Sequence, residues 1–127
     1  MSAKILLITA VDETHRQLLL ESQGYLVQTA AHEDVPKHLS EDDYQLALVS
    51  TENGVAATLA FCETVKSNFP DVRIVVVAQR AEYIPANDFV DAVIREQHSP
   101  GRFLAAVKRL IDAGNSQQQS FSAADGQ

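Results

Sequence analysis

The chain is short of several residue types: among 127 residues it has no tryptophan, one cysteine, one methionine, four prolines and five glycines. It is also short of positive charge, with 10 Lys and Arg against 17 Asp and Glu and a formal net charge of −7. Each shortage excludes something. A lone Cys62 cannot close an internal disulfide, so a reducing, cytoplasmic setting is expected. Nucleic-acid binding needs a basic face that displaces counterions, and no Lys/Arg cluster supplies one. No apolar run approaches the roughly 20 residues of a membrane span. The first residues, MSAK, pass straight into a strand-like run, and no signal-peptide cleavage pattern follows. With 46% hydrophobic residues, what remains is one ordinary globular domain around a single core.

Familiar catalytic patterns are missing too. There is no G-x-G-x-x-G, no Walker sequence and no Ser-His-Asp order. His15, His32, His38 and His98 are scattered without the i, i+4 spacing of a helical metal pair, so they read as surface histidines and no metal site is expected from them. Cys62 falls on an apolar helical stripe and reads as a packing residue.

What the chain does have is a regular succession of short apolar runs. The most informative is residues 44–54, YQLALVSTENG, whose middle is unbroken Leu46-Ala47-Leu48-Val49. A run so short and without polar alternation is what a strand covered on both faces looks like. Ligands of parallel sheets bind just past the carboxyl ends of such strands, here Ser50, Thr51, Glu52 and Asn53. Ile5-Leu6-Leu7-Ile8 and the β-branched run Ile74–Val77 predict two more buried strands. Residues 25–30 alternate weakly and predict a strand nearer an edge, and residues 89–95 contain a last one.

Helices are predicted between the strands. Asp12, Glu13 and Thr14 offer helix-start chemistry, and Gly24 closes that first helix. Asp34 and Pro36 open a short second helix ending near Ser40. Val55, Leu59, Cys62, Val65 and Phe69 trace a third, stopped by Pro70 and Asp71. Pro85 leaves the fourth, in residues 80–88, one turn at most. Ser99-Pro100 starts a fifth, carried by Phe103, Leu104, Val107, Leu110 and Ile111 and closed by Gly114. Residues 115–127 are polar and low in complexity and read as a disordered tail or linker beyond a domain of residues 1–114. Strand alternating with helix means a doubly wound, five-stranded parallel α/β sheet with a shortened fourth helix.

The segments K-I-L-L-I, E-S-Q-G-Y-L-V, D-Y-Q-L-A-L-V-S, V-R-I-V-V-V-A, V-D-A-V-I-R and L-A-A-V-K-R-L-I resemble the receiver domain of bacterial response regulators, the CheY-like, flavodoxin-type fold, over residues 4–112. Receivers take a phosphoryl group from a histidine kinase in two-component phosphorelays. The resemblance implies a carboxylate acceptor after the third strand, an acidic pair after the first to hold Mg²⁺, a Thr or Ser after the fourth and a Lys after the fifth. Metal and lysine neutralise the transferring phosphate.

Carried over residue by residue, the acceptor position falls on Ser50, the acidic pair on Thr9 and Ala10, the hydroxyl on Ala78 and the lysine on Arg95, with Glu96 where a proline usually follows. Neither Thr9 nor Ala10 offers Mg²⁺ a carboxylate, and a serine hydroxyl needs a positioned base to act as a nucleophile. Arg95 keeps the charge in a planar, bulkier head. Asp12 and Glu13 are weak alternatives for the acidic pair, against a reading in which they cap the first helix. The resemblance therefore implies a degenerate pseudo-receiver that performs no phosphoryl chemistry, needs no cofactor and is not an enzyme.

Three functions compete on these residues. The first is a phosphorylation-independent signalling module that binds a protein partner, an output domain or a second copy of itself. Its face would comprise the fourth helix, fifth strand and fifth helix, with Tyr83, Ile84, Phe89 and Arg95 as contacts. In this reading Arg95 either pairs with Asp12, Glu52 or a partner's acid, or is an ordinary exposed arginine. The second is a small-ligand sensor using the crevice beside Thr9, Ser50 and Ala78. The third is an atypical phospho-accepting response regulator, against which the substitutions argue.

Overall fold

The computed structural model describes residues 3–9, 14–51, 54–78, 84, 88–95 and 99–125. Five strands, β1 (Lys4–Ile8), β2 (Leu26–Ala30), β3 (Leu46–Ser50), β4 (Ile74–Val77) and β5 (Ala92–Ile94), form one sheet in the order β2-β1-β3-β4-β5. Every pairing is parallel. Helices α1 (Thr14–Glu21), α2 (Val35–Glu41, preceded by a 3₁₀ turn at His32–Asp34), α3 (Val55–Asn68) and α4 (Pro100–Asp125) complete the described elements. This is the flavodoxin-like, CheY-like doubly wound order, whose topological switch lies where β1 meets β3.

The period of two in the strands sorts the core into two layers. Ile5 and Leu7 of β1 join Leu46, Leu48, Val75, Val77 and Ile94 under Leu20 of α1 and Phe103, Val107 and Ile111 of α4. Leu6 and Ile8 point the other way, joining Ala47, Val49, Ile74 and Val76 under Val35 of α2 and Cys62 and Val65 of α3. Because both faces are covered, β3 and β4 are buried at every position. At the edge, β2 alternates exposed and half-buried residues before Ala30, which explains its weak apolar pattern.

Two predicted features change. The buried stripe of α3 is Thr58, Cys62 and Val65, while Val55 and Leu59 are only half-buried, so the helix is rotated from the face its apolar residues suggest. The other concerns the end of α4. Helical backbone does not stop at Gly114 but continues to Asp125, where composition predicts a disordered tail. A glycine ends a helix when it takes a left-handed conformation, and among the described residues only Gly24 and Gly54 have positive φ. Core packing nevertheless ends at Ile111, the last buried side chain described. Gly24 does close the turn after α1, with φ +88°. Of residues 80–88 only Ile84 and Asp88 are described, so the shortened fourth helix lies outside the described residues.

Polar clasps tie the layers together at the amino ends of the strands. The Lys66 ammonium donates to the Val72 carbonyl at 2.6 Å and the Asp91 carboxylate at 2.9 Å. The Arg73 guanidinium donates to the Leu110 carbonyl at 2.7 Å, locking α4 to the start of β4.

Candidate functional site

The carboxyl ends of the four central and right-hand strands come together as the topology requires. Ile8 pairs with Val49, Ser50 with Val77, and Val77 with Ile94. Thr9, Ala78 and Arg95 are the residues that follow Ile8, Val77 and Ile94. Four of the positions singled out from sequence, Thr9, Ser50, Ala78 and Arg95, therefore lie at one end of four adjacent strands spaced about 4.8 Å apart. Backbone bonds extend the sheet to this level: the Thr9 N–H donates to Ala30 (3.1 Å), the Thr51 N–H to Val77 (3.3 Å) and the Ala78 N–H to Ile94 (2.9 Å).

Burial separates these residues. Ser50 and Thr51 are each 3% exposed, Ala78 is buried, and Thr9 is nearly so at 9%, whereas Arg95 is exposed. Thr58 joins them from α3. Its hydroxyl donates to the Gly54 carbonyl at 2.8 Å and lies 3.5 Å from the Ser50 carbonyl. The geometry depends on the turn between β3 and α3, where the Gly54 N–H donates to the Thr51 carbonyl at 2.9 Å. Gly54 has φ +98°, a backbone conformation that L side chains rarely adopt, so glycine is the fitting residue there.

Thr9, Ser50, Thr51 and Thr58 are together the buried polar residues of the described chain. Polar burial is thus concentrated at this one end of the sheet. Buried hydroxyls cost free energy unless bonded, and Thr9, Ser50 and Thr51 all take part in interactions. The cluster offers hydroxyls and backbone groups but no carboxylate among these residues. Among the described residues no group of three His, Cys, Asp or Glu side chains converges on a metal-sized site. Thr58 escaped the sequence reading because a threonine on a helix reads as polar surface. Its signal was the spacing 58, 62, 65, which continues the stripe that Cys62 and Val65 define.

The remaining predicted positions fall apart in space or outside the described residues. Ala10, Asp12, Glu13, Glu52, Tyr83 and Glu96 lie outside them, as do the pairings of Arg95 with Asp12 or Glu52. Ile84 and Phe89, expected to offer contact area, are half-buried and pack on the apolar layer under α2 and α3, so part of each surface is spent on the core. Cys62 is fully buried, and desolvation pushes its thiol up to about 12, which leaves it protonated and unreactive at neutral pH. His15 is exposed; His32 and His38 are half-buried, His32 edge-on to the Phe61 ring at 4.6 Å, and His98 lies outside the described residues.

No family model matches the chain. No curated protein matches it either. Solved structures do, at the level of the fold. A CheY-like receiver domain protein from Methanospirillum hungatei JF-1 superimposes with a TM-score of 0.74 at 19% identity, over 92% of this chain and 99% of that one. One chain of a complex of the histidine kinase ThkA with the response regulator TrrA matches with a TM-score of 0.67 at 21% identity, over 85% of this chain and 97% of that one. NtrX from Brucella abortus, solved with ADP, gives 0.77 at 15% identity; the match takes in 97% of this chain but 29% of NtrX. At these identities the likeness establishes the receiver fold.

Proposed function

We propose that the chain is a pseudo-receiver, a non-catalytic module of a two-component-type pathway that acts by binding protein without being phosphorylated. The supporting observation is the composition of the crevice. Where a receiver of this fold needs a carboxylate at the end of β3, this chain has a buried serine, Ser50, and Thr9, Thr51 and Thr58 are buried at the same end of the sheet. The hydroxyl of the position after β4 is replaced by the buried methyl of Ala78. A neutral, packed cluster gives Mg²⁺ little to bind and gives a phosphoryl group no acceptor. Fold alone does not carry function; the reading rests on these positions.

The partner in this reading is a protein. TrrA was solved on a histidine kinase, and NtrX is a chain more than three times longer than the part matched. Either arrangement suits a stand-alone adaptor or a chain whose residues 115–127 lead, as a linker, to an output domain. No described helix is long and apolar enough to cross a membrane, and the lone cysteine accords with a reducing cytoplasm. The small-ligand reading draws on the same hydroxyl-rich crevice beside Arg95.

Titration with Mg²⁺ and beryllofluoride, a mimic of an acyl phosphate, watched by backbone amide NMR, tests the proposal. Unmoved amides at Thr9, Ser50 and Arg95 are expected. Saturable shifts there would overturn it and make Asp12 and Glu13 the first suspects for a metal site. A metabolite panel that moves the same amides, with beryllofluoride inert, would favour the sensor.

A further inference from the structure

The outer edge of β5, unpaired among the described residues, and the adjacent face of α4 form a groove of about 440 Å³, lined by Ala92, Val93, Ile94, Arg102, Ala105, Ala106, Arg109 and Leu110. Its lining carries two unusual features. Side chains of a strand alternate between faces, so a groove on one face of β5 would be lined by every second residue. Here three consecutive strand residues line it, which means that it runs along the strand's edge. β5 ends the sheet order, and among the described residues it is bonded only to β4.

The helical wall has its own pattern. Arg102, Ala105, Ala106, Arg109 and Leu110 fall at i, i+3, i+4, i+7 and i+8, one stripe of α4 beside the buried stripe of Phe103, Val107 and Ile111. Ala105 and Ala106 keep the stripe low in its middle. Arg102 and Arg109 are exposed and stand about two turns, or roughly 10 Å, apart. Neither makes an ion pair with a carboxylate among the described residues; the nearby Asp112 carboxylate is engaged by Lys108 at 3.0 Å. On a chain of net charge −7, this groove has two arginines and no acidic residue in its lining.

We infer that this groove takes an acidic, extended segment of a partner protein, which adds to β5 as a sixth strand and sets carboxylates against Arg102 and Arg109. An open strand edge presents backbone donors and acceptors that an incoming strand satisfies. Main-chain bonds would supply affinity, and the two guanidiniums would select acidic side chains on one face of the incoming strand. The inference rests on the reading of the chain as a protein-binding module and narrows its expected face to the fifth strand and the helix after it, β5 and α4. The edge and the α4 side of β5 carry it, rather than Ile84 and Phe89 on the opposite layer.

The test uses the full chain and a fluorescein-labelled short peptide of alternating Glu and Val. Binding is followed by anisotropy and by amide shifts, with and without Mg²⁺ and beryllofluoride. The expected result is salt-sensitive binding with shifts at Ala92, Val93 and Ile94, and no binding by a Lys-Val peptide or by the acidic peptide with prolines for valines. Arg102→Glu with Arg109→Glu should weaken binding about tenfold or more with an unchanged circular dichroism spectrum. Lys37→Glu, on the opposite layer, should not. Equal binding of acidic and basic peptides, or none at all, overturns the groove and leaves the beryllofluoride result to judge the pseudo-receiver reading. Binding only with beryllofluoride keeps the groove and removes phosphorylation independence. A concentration-dependent dimer in light scattering that the two arginine substitutions abolish would make the occupant a second copy and overturn the proposal.

Discussion

Lys66 of α3 and Asp91, the residue before β5, are joined by an ion pair of 2.9 Å that also reaches the start of β4. The same Asp91 carboxylate oxygen accepts the Ile74 N–H at 2.8 Å, and the Asp91 N–H donates to the Ile74 carbonyl at 2.8 Å. One carboxylate therefore closes the lower end of the β4–β5 pair and ties it to the helix beneath.

The two partners of this contact should not be equivalent on mutation. Asp91→Ala removes the acceptor of the Ile74 N–H as well as the ion pair, and an unpaired buried donor costs about 1–3 kcal/mol. Lys66→Met leaves the Ile74 bond in place and forfeits a pair whose acid is 37% exposed, so screening holds its loss to about 1 kcal/mol or less. Urea unfolding of both variants gives the order. A larger loss for Lys66→Met would mean that its bond to the Val72 carbonyl, not the Asp91 bridge, carries the clasp.

Lys4 and Asp42 make a second cross-connection, with the Lys4 ammonium also 5.7 Å from the centre of the Tyr44 ring. Their hydrogen bond holds the Asp42 carboxyl below its ordinary 3.8 and raises Lys4 above 10.5. A depressed acid contributes its stability above its ordinary value and loses it as pH falls through the folded value. A raised lysine contributes below 10.5 and loses it as pH rises through the folded value. The pair therefore adds nothing to pH dependence near neutrality and acts only at the two extremes. Lys4→Gln should move the Asp42 titration up towards 3.8, read by carboxyl-detected NMR. An unmoved Asp42 would assign its low value to the bond from the Asp43 N–H.

Cys62 should behave as a buried thiol. With its pKa pushed to about 12 by desolvation, the native protein should resist thiol reagents at pH 8 and react at once when unfolded. Because the folded value lies above the ordinary 9.0, its contribution to stability is complete below 9.0 and is lost as pH climbs from there towards 12. Rapid labelling of the native chain would show that α3 opens on the time scale of the assay.

The strands were legible in the residues because burial on both faces leaves a signature in composition alone. Leu46–Val49 and Ile74–Val77 could be little else, and the weaker alternation of residues 25–30 announced an edge strand. The residues at the carboxyl ends of the strands were legible for the same reason, since counting forward from each strand reaches Thr9, Ser50, Ala78 and Arg95. The rotation of α3 was not. Val55 and Leu59 looked like core residues until the helix was packed, when Thr58 took the inward position and found the Gly54 carbonyl.

By itself, then, the order of apolar runs pointed to a parallel, doubly wound sheet and the sequence put no carboxylate at Ser50, because a strand's face period and the identity of the residue that ends it are local properties. Only the tertiary structure decided that the buried hydroxyls of the described residues gather at one end of that sheet and that α4 runs on past Gly114. It alone brought Arg102 and Arg109 into one groove with Ala92, Val93 and Ile94 of β5. These depend on how helices settle against the sheet, and that is decided by packing between residues far apart in the chain.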